Sequence, residues 1–220
     1  MKTLLKKLLR SNYGIWRFAL WVRSIPFKLG RIEYHNNGGC VRIKKDIAGS
    51  NNLFVAGRNS MVHNLSLYIR GNSVRVEIGE GTIIGHGCSI RCEGDNITVI
   101  VGKNTTMTRD IHICAQESGS RILIGEDCMF SNNIIVRTSD SHPIYDAGGE
   151  RINPPADVRI GNHVWMAPES TVLKGVVIGD NAIIGSKSLV TKNVEPGCLY
   201  AGIPARLIKE NVSWTREELF

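Results

Sequence analysis

The sequence predicts an all-β solenoid in which a short strand and a bend repeat every six residues. Three observations lead there. From Ile160, steps of six land on Ile160, Met166, Val172, Ile178, Ile184 and Val190, all apolar. Upstream the frame returns in triplets: Val55, Met61, Leu67; Ile78, Ile84, Ile90; Val101, Met107, Ile113; and Ile124, Phe130, Val136. The composition agrees, because 6% aromatic residues and 23 glycines suit aliphatic strands and tight turns better than a helical bundle.

A six-residue unit is a strand plus a bend, three units close a triangular coil, and a coil buries its aliphatic row only by stacking on its neighbours. Four residues after each later frame position come Val164, Ser170, Val176, Ala182, Ser188 and Val194, small enough for an inward corner, and Cys88 and Cys128 take the same phase. Each upstream triplet starts 23 residues after the one before, five more than three sixes require. The extra residues fall near 70–74, 93–97 and 116–120, as loops on one corner of the stack.

Residues 1–31 lie outside the frame and read as a short helical N-terminal segment, with Leu4, Leu5, Leu8 and Leu9 on one face and a second apolar stretch from Trp16 to Val22. It either caps the open end of the solenoid or lies on the cytoplasmic membrane face. Eight basic residues and no acids occur in these 31 positions, so the net charge of +7 is local and nucleic acid is not implied as a partner. The run Ile15–Val22 is too short to span a bilayer and contains Arg17. Residues 32–195 form the solenoid domain, with 32–54 an irregular lead-in, and Pro196 ends the repeat. In the tail, 196–220, the spacing of Thr215 and Glu218 predicts a short closing helix. Six cysteines without a cleavable signal peptide suggest free thiols in the cytoplasm, and Cys88 and Cys92, four apart, do not form a zinc pair, so no metal is expected.

One segment, 137–159, interrupts the later frame, and it is rich in polar and titratable groups. A stiff solenoid offers little concavity, so such an excursion is where a site is built. His142 falls six residues after Val136, where the chain leaves the coil.

The stretch SDSHPIYD, followed by IGNHVWMAPESTVLKGVVIGDNAIIGSKSLVTKNVEPGCLYAGIPARLIKE, closely resembles the hexapeptide-repeat acyltransferases, especially the maltose, galactoside and capsule-modifying sugar O-acetyltransferases. The resemblance implies a left-handed parallel β-helix, a homotrimer with sites between subunits, and acetyl-CoA as co-substrate. His142 then matches the general base. Trp165 lines the acceptor site, with Thr108, Asp110 and Tyr145 as further acceptor contacts. Ala167, Gly185, Ser186, Thr191, Lys192, Arg206 and Lys209 match the CoA contacts.

The acetyl group is expected to move directly, since Cys88 and Cys128 take inward corners and Cys198 lies beyond the repeat, and a backbone N–H near Trp165 to Ala167 is expected to receive the oxyanion. Asp110, Asp140 and Asp146 are candidates to orient His142. Where galactoside-type members carry asparagines, this chain has Thr108, Arg109 and Asp110, which points to a charged or larger glycan. The alternatives are an amino-sugar or antibiotic acceptor, or a scaffold subunit without chemistry. A zinc hydrase on the same fold needs three converging histidines, and the ladder His63, His86 continues with Arg109.

Overall fold

A coil of three strands must bend three times, and the sequence supplies each bend with residues that tolerate a left-handed backbone. One corner is the column Asn59, Gly81, Asn104, Asp127, His163, Asn181 and Gly197; the second is Asn64, Gly87, Asp110, Asn133, Glu169 and Lys187; the third is Asn51, Ser73, Asn96 and Gly119. All have φ between 52° and 80°. Of the 16 described non-glycine residues with positive φ, eight are asparagine, whose short amide stabilises this conformation locally where most side chains resist it.

The computed structural model describes residues 27–28 and 32–219, and these contain strands and turns but no helix. One face is a sheet of seven parallel rungs: Ile32–Asn36, Asn52–Ala56, Arg75–Ile78, Thr98–Val101, Arg121–Ile124, Val158–Ile160 and Val177–Ile178. The other two faces form a second parallel sheet, in which the long strands Met61–Arg70, Thr106–Gln116 and Met129–Arg137 run across a corner. Among the described residues no helix is long and apolar enough to cross a membrane.

Register is strict, because parallel strands stack like residues on like. Thus Ile78, Val101, Ile124, Ile160 and Ile178 follow one another, as do Ile84, Met107, Phe130, Met166 and Ile184. All are at most 3% exposed. Val164, Ser170, Val176, Ala182, Ser188 and Val194 are buried at the corners, and so are Cys88 and Cys128. The buried hydroxyls of Ser170 and Ser188 donate to the carbonyls of Ala167 and Gly185, which satisfies a polar group the core could not otherwise hold.

Beside the first corner stands a glycine column, Gly57, Gly79, Gly102, Gly125, Gly161 and Gly179, in which each N–H donates to a carbonyl of the next coil. A Cβ on Gly79 would sit 2.6 Å from both Gly102 C and Lys103 N. Glycine is required there by the closeness of the next coil, since the backbone itself is ordinary.

The first coil corrects the sequence frame. Val55 is half-buried and Met61 is 41% exposed, while Ala56 and Val62 point inward and pair with Ile78 and Ile84. Leu67 regains register with Ile90, so one residue is missing between Val62 and Leu67, at the corner of Asn64. The lead-in 32–54 is regular, with Ile32–Asn36, Cys40–Ala48 and Asn52–Ala56 all on parallel ladders. Its polar and glycine-rich sequence hid the strands.

Two more expectations change at the ends. Most of the N-terminal segment lies outside the described residues, but Phe27–Lys28, expected to be helical, pairs antiparallel with Tyr34 and Glu33. Pro196 does not end the stack: Leu199–Gly202 adds a parallel strand on Ile183–Ile184 and turns back through Ala205–Lys209 as an antiparallel hairpin. No helix starts at Thr215, whose Oγ1 instead accepts from the N–H of Glu217 at 3.3 Å. Contacts of Trp214 and Arg216 with the solenoid hold this segment extended (below).

Gly79→Ala should lower stability by at least the overpacking cost of about 1–3 kcal/mol, whereas Gly148→Ala, whose nearest neighbour is a loop carboxylate oxygen at 3.3 Å, should cost little. Thermal melts of the two variants side by side check this.

Candidate active site

The excursion after Met129–Arg137 is exposed, yet it is fastened at several points. Near its start, Thr138 and Ser139 are buried; the Thr138 hydroxyl donates to Gln116 O at 3.1 Å, and the Ser139 hydroxyl donates to Glu117 Oε1 at 2.6 Å. Farther along, Arg151 clamps both oxygens of Glu117, at 2.7 and 2.8 Å. Across the base, Lys174 donates to Asp140 at 2.6 Å, and buried Asn153 donates to Asp140 and to His142 O, both at 2.9 Å. The tip closes through a bridge between Tyr145 and Arg151, and the Asp146 carboxylate accepts from the N–H groups of Gly148 and Glu150.

The loop is therefore preorganised by charge-assisted bonds. The guanidinium of Arg151 holds the Glu117 carboxyl below the usual range, and Lys174 together with Asn153 does the same for Asp140. His142 stands on this loop, exposed, and its ring forms no hydrogen bond with a described residue of its own chain. Within the chain none of the three candidate acids bonds to it. Asp140 is taken by Lys174, Asp146 caps the loop turn, and Asp110 lies on Thr106–Gln116 with Arg109 3.7 Å away. Thr108 is exposed, and its hydroxyl donates to Phe130 O at 3.1 Å. Tyr145 is 59% exposed at the loop tip, beside exposed Ile144 and Ile152.

The residues expected to contact CoA lie on the coils after the loop. Ala167 N donates to Ile184 O at 2.9 Å and Gly185 N to Tyr200 O at 2.8 Å, so Ala167, Gly185 and Ala201 form one column; Ala201 pairs with Arg206 on the hairpin. Ser186, Arg206 and Lys209 are exposed around this column, while Thr191 and Lys192 are exposed just beyond Leu189–Val190. Neither a hydrogen bond nor a ring contact joins His142 to Trp165 or to any of these residues within the chain.

Two N–H groups of the stretch expected to supply an oxyanion donor are already bonded. The N–H groups of Trp165 and Ala167 are committed to Ala182 O at 3.0 Å and Ile184 O at 2.9 Å, because both belong to the ladder that builds the solenoid. In the same region the indole Nε1–H of Trp165 is buried without a hydrogen-bond partner.

Sequence reasoning missed the segment that packs against Trp165. Trp214 is 7% exposed, stacks on His163 with ring centroids 4.1 Å apart, and approaches Trp165 at 6.2 Å. Its indole donates to His163 O at 2.8 Å. His163 Nδ1 lies 2.7 Å from Asp127 Oδ2, and Nε2 lies 3.0 Å from Trp214 O. Burial works against the Asp127 carboxylate, but bonds from His163 and Arg216 outweigh it and lower its pKa. The one available signal was a tryptophan in an otherwise polar run, NVSWTREE.

The chain thus combines a parallel β-solenoid, an excursion carrying His142 and a basic hairpin beside a small-residue column. Residues 157–192 match the family described as bacterial transferase hexapeptide (six repeats). The polysialic acid O-acetyltransferase of Escherichia coli O1:K1 / APEC is 37% identical over 93 residues, 42% of this chain and 30% of that protein. The crystal structure of the polySia specific acetyltransferase NeuO superposes with a TM-score of 0.64 at 30% identity, over 80% of this chain and 90% of that one. The polysialic acid O-acetyltransferase OatWY gives 0.59 at 31% identity, over 84% and 85%. The chain belongs to the hexapeptide-repeat transferase family. It spans about a third of the length of the first curated relatives it matches.

Glu117→Gln keeps the shape of the loop anchor and removes its charge. Tryptic cleavage after Arg151 should quicken, while the melting free energy moves by no more than about 1 kcal/mol, as for a solvent-exposed ion pair. The pH dependence has a definite sign. The Glu117 and Asp140 carboxyls have lower pKa values in the folded protein, so their pairs contribute fully above the unfolded carboxylate range and fade as pH falls through the lowered values. Proteolysis by an acid-active protease should therefore reach the loop only in acid.

Proposed function

We propose that this protein transfers an acetyl group from acetyl-CoA to a hydroxyl of a sugar or polysaccharide, with His142 as general base. The observation that carries the reading is the exposed, unpaired ring of His142 on a loop tied down by Glu117 and Asp140, in a chain of this family. A sugar hydroxyl is too weakly acidic to attack a thioester at neutral pH, and an imidazole can take its proton as the bond forms. The hydroxyl oxygen adds to the thioester carbonyl, the tetrahedral oxyanion collapses, and the C–S bond breaks. CoA leaves as the thiol, taking the proton back from the imidazolium.

No cysteine is needed as a nucleophile. Cys88, Cys92, Cys128 and Cys198 are buried, and burial pushes the Cys92 thiol up to about 12 and the Cys128 thiol up to about 11. Acetyl-CoA lies along the column of Ala167, Gly185 and Ser186, with Thr191, Lys192, Arg206 and Lys209 facing its phosphates. Thr108, Asp110, Tyr145 and Trp165 line the acceptor side. His142 has no partner among these residues in its own chain, so the working unit is a homotrimer in which the loop of one copy meets the CoA column of the next. Chloramphenicol acetyltransferases match about a third of this chain, but the polysialic acid enzymes of known structure match 80% and 84% of it, which favours an acidic polysaccharide. Six free cysteines suit a cytoplasmic enzyme, and the N-terminal segment either caps the stack or contacts the inner membrane.

Light scattering should give about three times the chain mass of 24.3 kDa. His142→Ala should lower turnover by about 10²–10⁴ with acetyl-CoA binding and melting temperature kept, and Cys198→Ala should be close to silent. Retention of more than about a tenth of wild-type turnover in His142→Ala, far above the residue left when a general base is removed, overturns the assignment.

A further inference from the structure

The segment Val212–Arg216 crosses the coils instead of following them. Val212 N donates to Gly197 O at 2.9 Å, Trp214 stacks on His163, and Arg216 reaches Asp127 and Asn104. Residues 212, 214 and 216 thus step down the corner column in the period of two that an extended chain presents to one side. Most of that column is asparagine and glycine. The two exceptions, Asp127 and His163, are the anchors of this segment.

Arg216 is the deepest fastening. Its guanidinium donates to Asp127 Oδ1 at 2.9 Å, Thr106 Oγ1 at 3.0 Å, and the carbonyls of Asn104, Asp127 and Cys128 at 3.3, 3.2 and 2.9 Å. It spans two coils. Trp214 is held by His163 at three points: the ring stack, the bond from its indole N–H to His163 O, and the contact of His163 Nε2 with its own carbonyl.

Trp214 also approaches Trp165, with ring centroids 6.2 Å apart and an interplanar angle of 47°. Trp165 is flanked along the sheet by Met129 and Ile183. Its buried, unpaired N–H is costly, since a mobile indole would turn that donor to water. The arrangement persists because the neighbours over-determine where the ring lies.

We propose that Val212–Arg216 is a positioning strap for Trp165, fixing the indole so that its N–H stays buried from water and its ring keeps one orientation when substrate binds. The inference rests on the proposed function, in which Trp165 lines the acyl-transfer site. Trp214 and Arg216 touch no substrate and act through Trp165.

The test combines kinetics with indole N–H exchange measured by NMR on the full chain, the resonance of Trp165 being assigned by its loss in Trp165→Phe. In Trp214→Ala, kcat should fall by about ten- to a hundredfold, the loss expected when a site group is displaced by about 1 Å, with KM for acetyl-CoA near the wild-type value. Exchange of the Trp165 N–H with water should speed up, and Trp214→Phe, which keeps the stack, should recover most of both. Should Trp214→Ala fail to fold, Arg216→Ala is read by the same two criteria. A folded variant with wild-type kcat, or with unchanged Trp165 exchange, overturns the strap. If the wild-type protein transfers no acetyl group, the functional reading fails, and the exchange rates alone then decide for or against the strap.

Discussion

Everything in this molecule follows from the backbone hydrogen bonds that each coil makes to the next. Parallel strands sit about 4.8 Å apart in the bonding direction, so whatever one coil places at a position, the next must accommodate directly above it. Aliphatic residues stack on aliphatic residues, and corner residues with positive φ stack on others like them. The glycine column from Gly57 to Gly179 is the sharpest expression of the rule, because there the next backbone occupies the space of a side chain. Six-residue periodicity is the sequence-level trace of that spacing.

A stack so regular leaves its own backbone donors no freedom. The N–H groups of Trp165 and Ala167 are spent on the ladder, so groups for chemistry must come from side chains or from segments that leave the coil. Among the described residues two such segments stand out. The loop after Arg137 carries His142 and is fixed by Glu117, Lys174 and Asn153, and the segment after the hairpin brings Trp214 and Arg216 back across the coils. Rigidity of the scaffold and fixation of the excursions together give the preorganisation that the proposed acyl transfer requires.

The solenoid was legible because its signal is periodic and redundant: the frame from Ile78 to Val190 lands on buried residues throughout. It failed at Val55 and Met61, where one missing residue before Leu67 shifts the register and no local feature marks the loss. The strands between 32 and 54 were hidden by polar residues such as Arg42, Lys44, Lys45 and Asp46 on a coil that buries only one side. Of the candidate site, the loop with His142 was visible as a break in the frame. The anchors of that loop and the strap were not, since Glu117–Arg151 and Asp127–Arg216 join residues 34 and 89 positions apart. Nor can sequence say which N–H groups the ladder has already used, as it has those of Trp165 and Ala167.

The most direct test of a site assembled between copies is subunit complementation. His142→Ala and Trp165→Ala chains, each carrying its own affinity tag, are co-expressed, and mixed trimers are isolated by sequential capture. Each variant alone should be nearly inactive, and the mixed trimers should regain a substantial part of wild-type acetyl transfer, because one interface pairs an intact His142 with an intact Trp165. Mixed trimers that form in good yield yet remain as inactive as either parent would contradict a site shared between neighbouring chains.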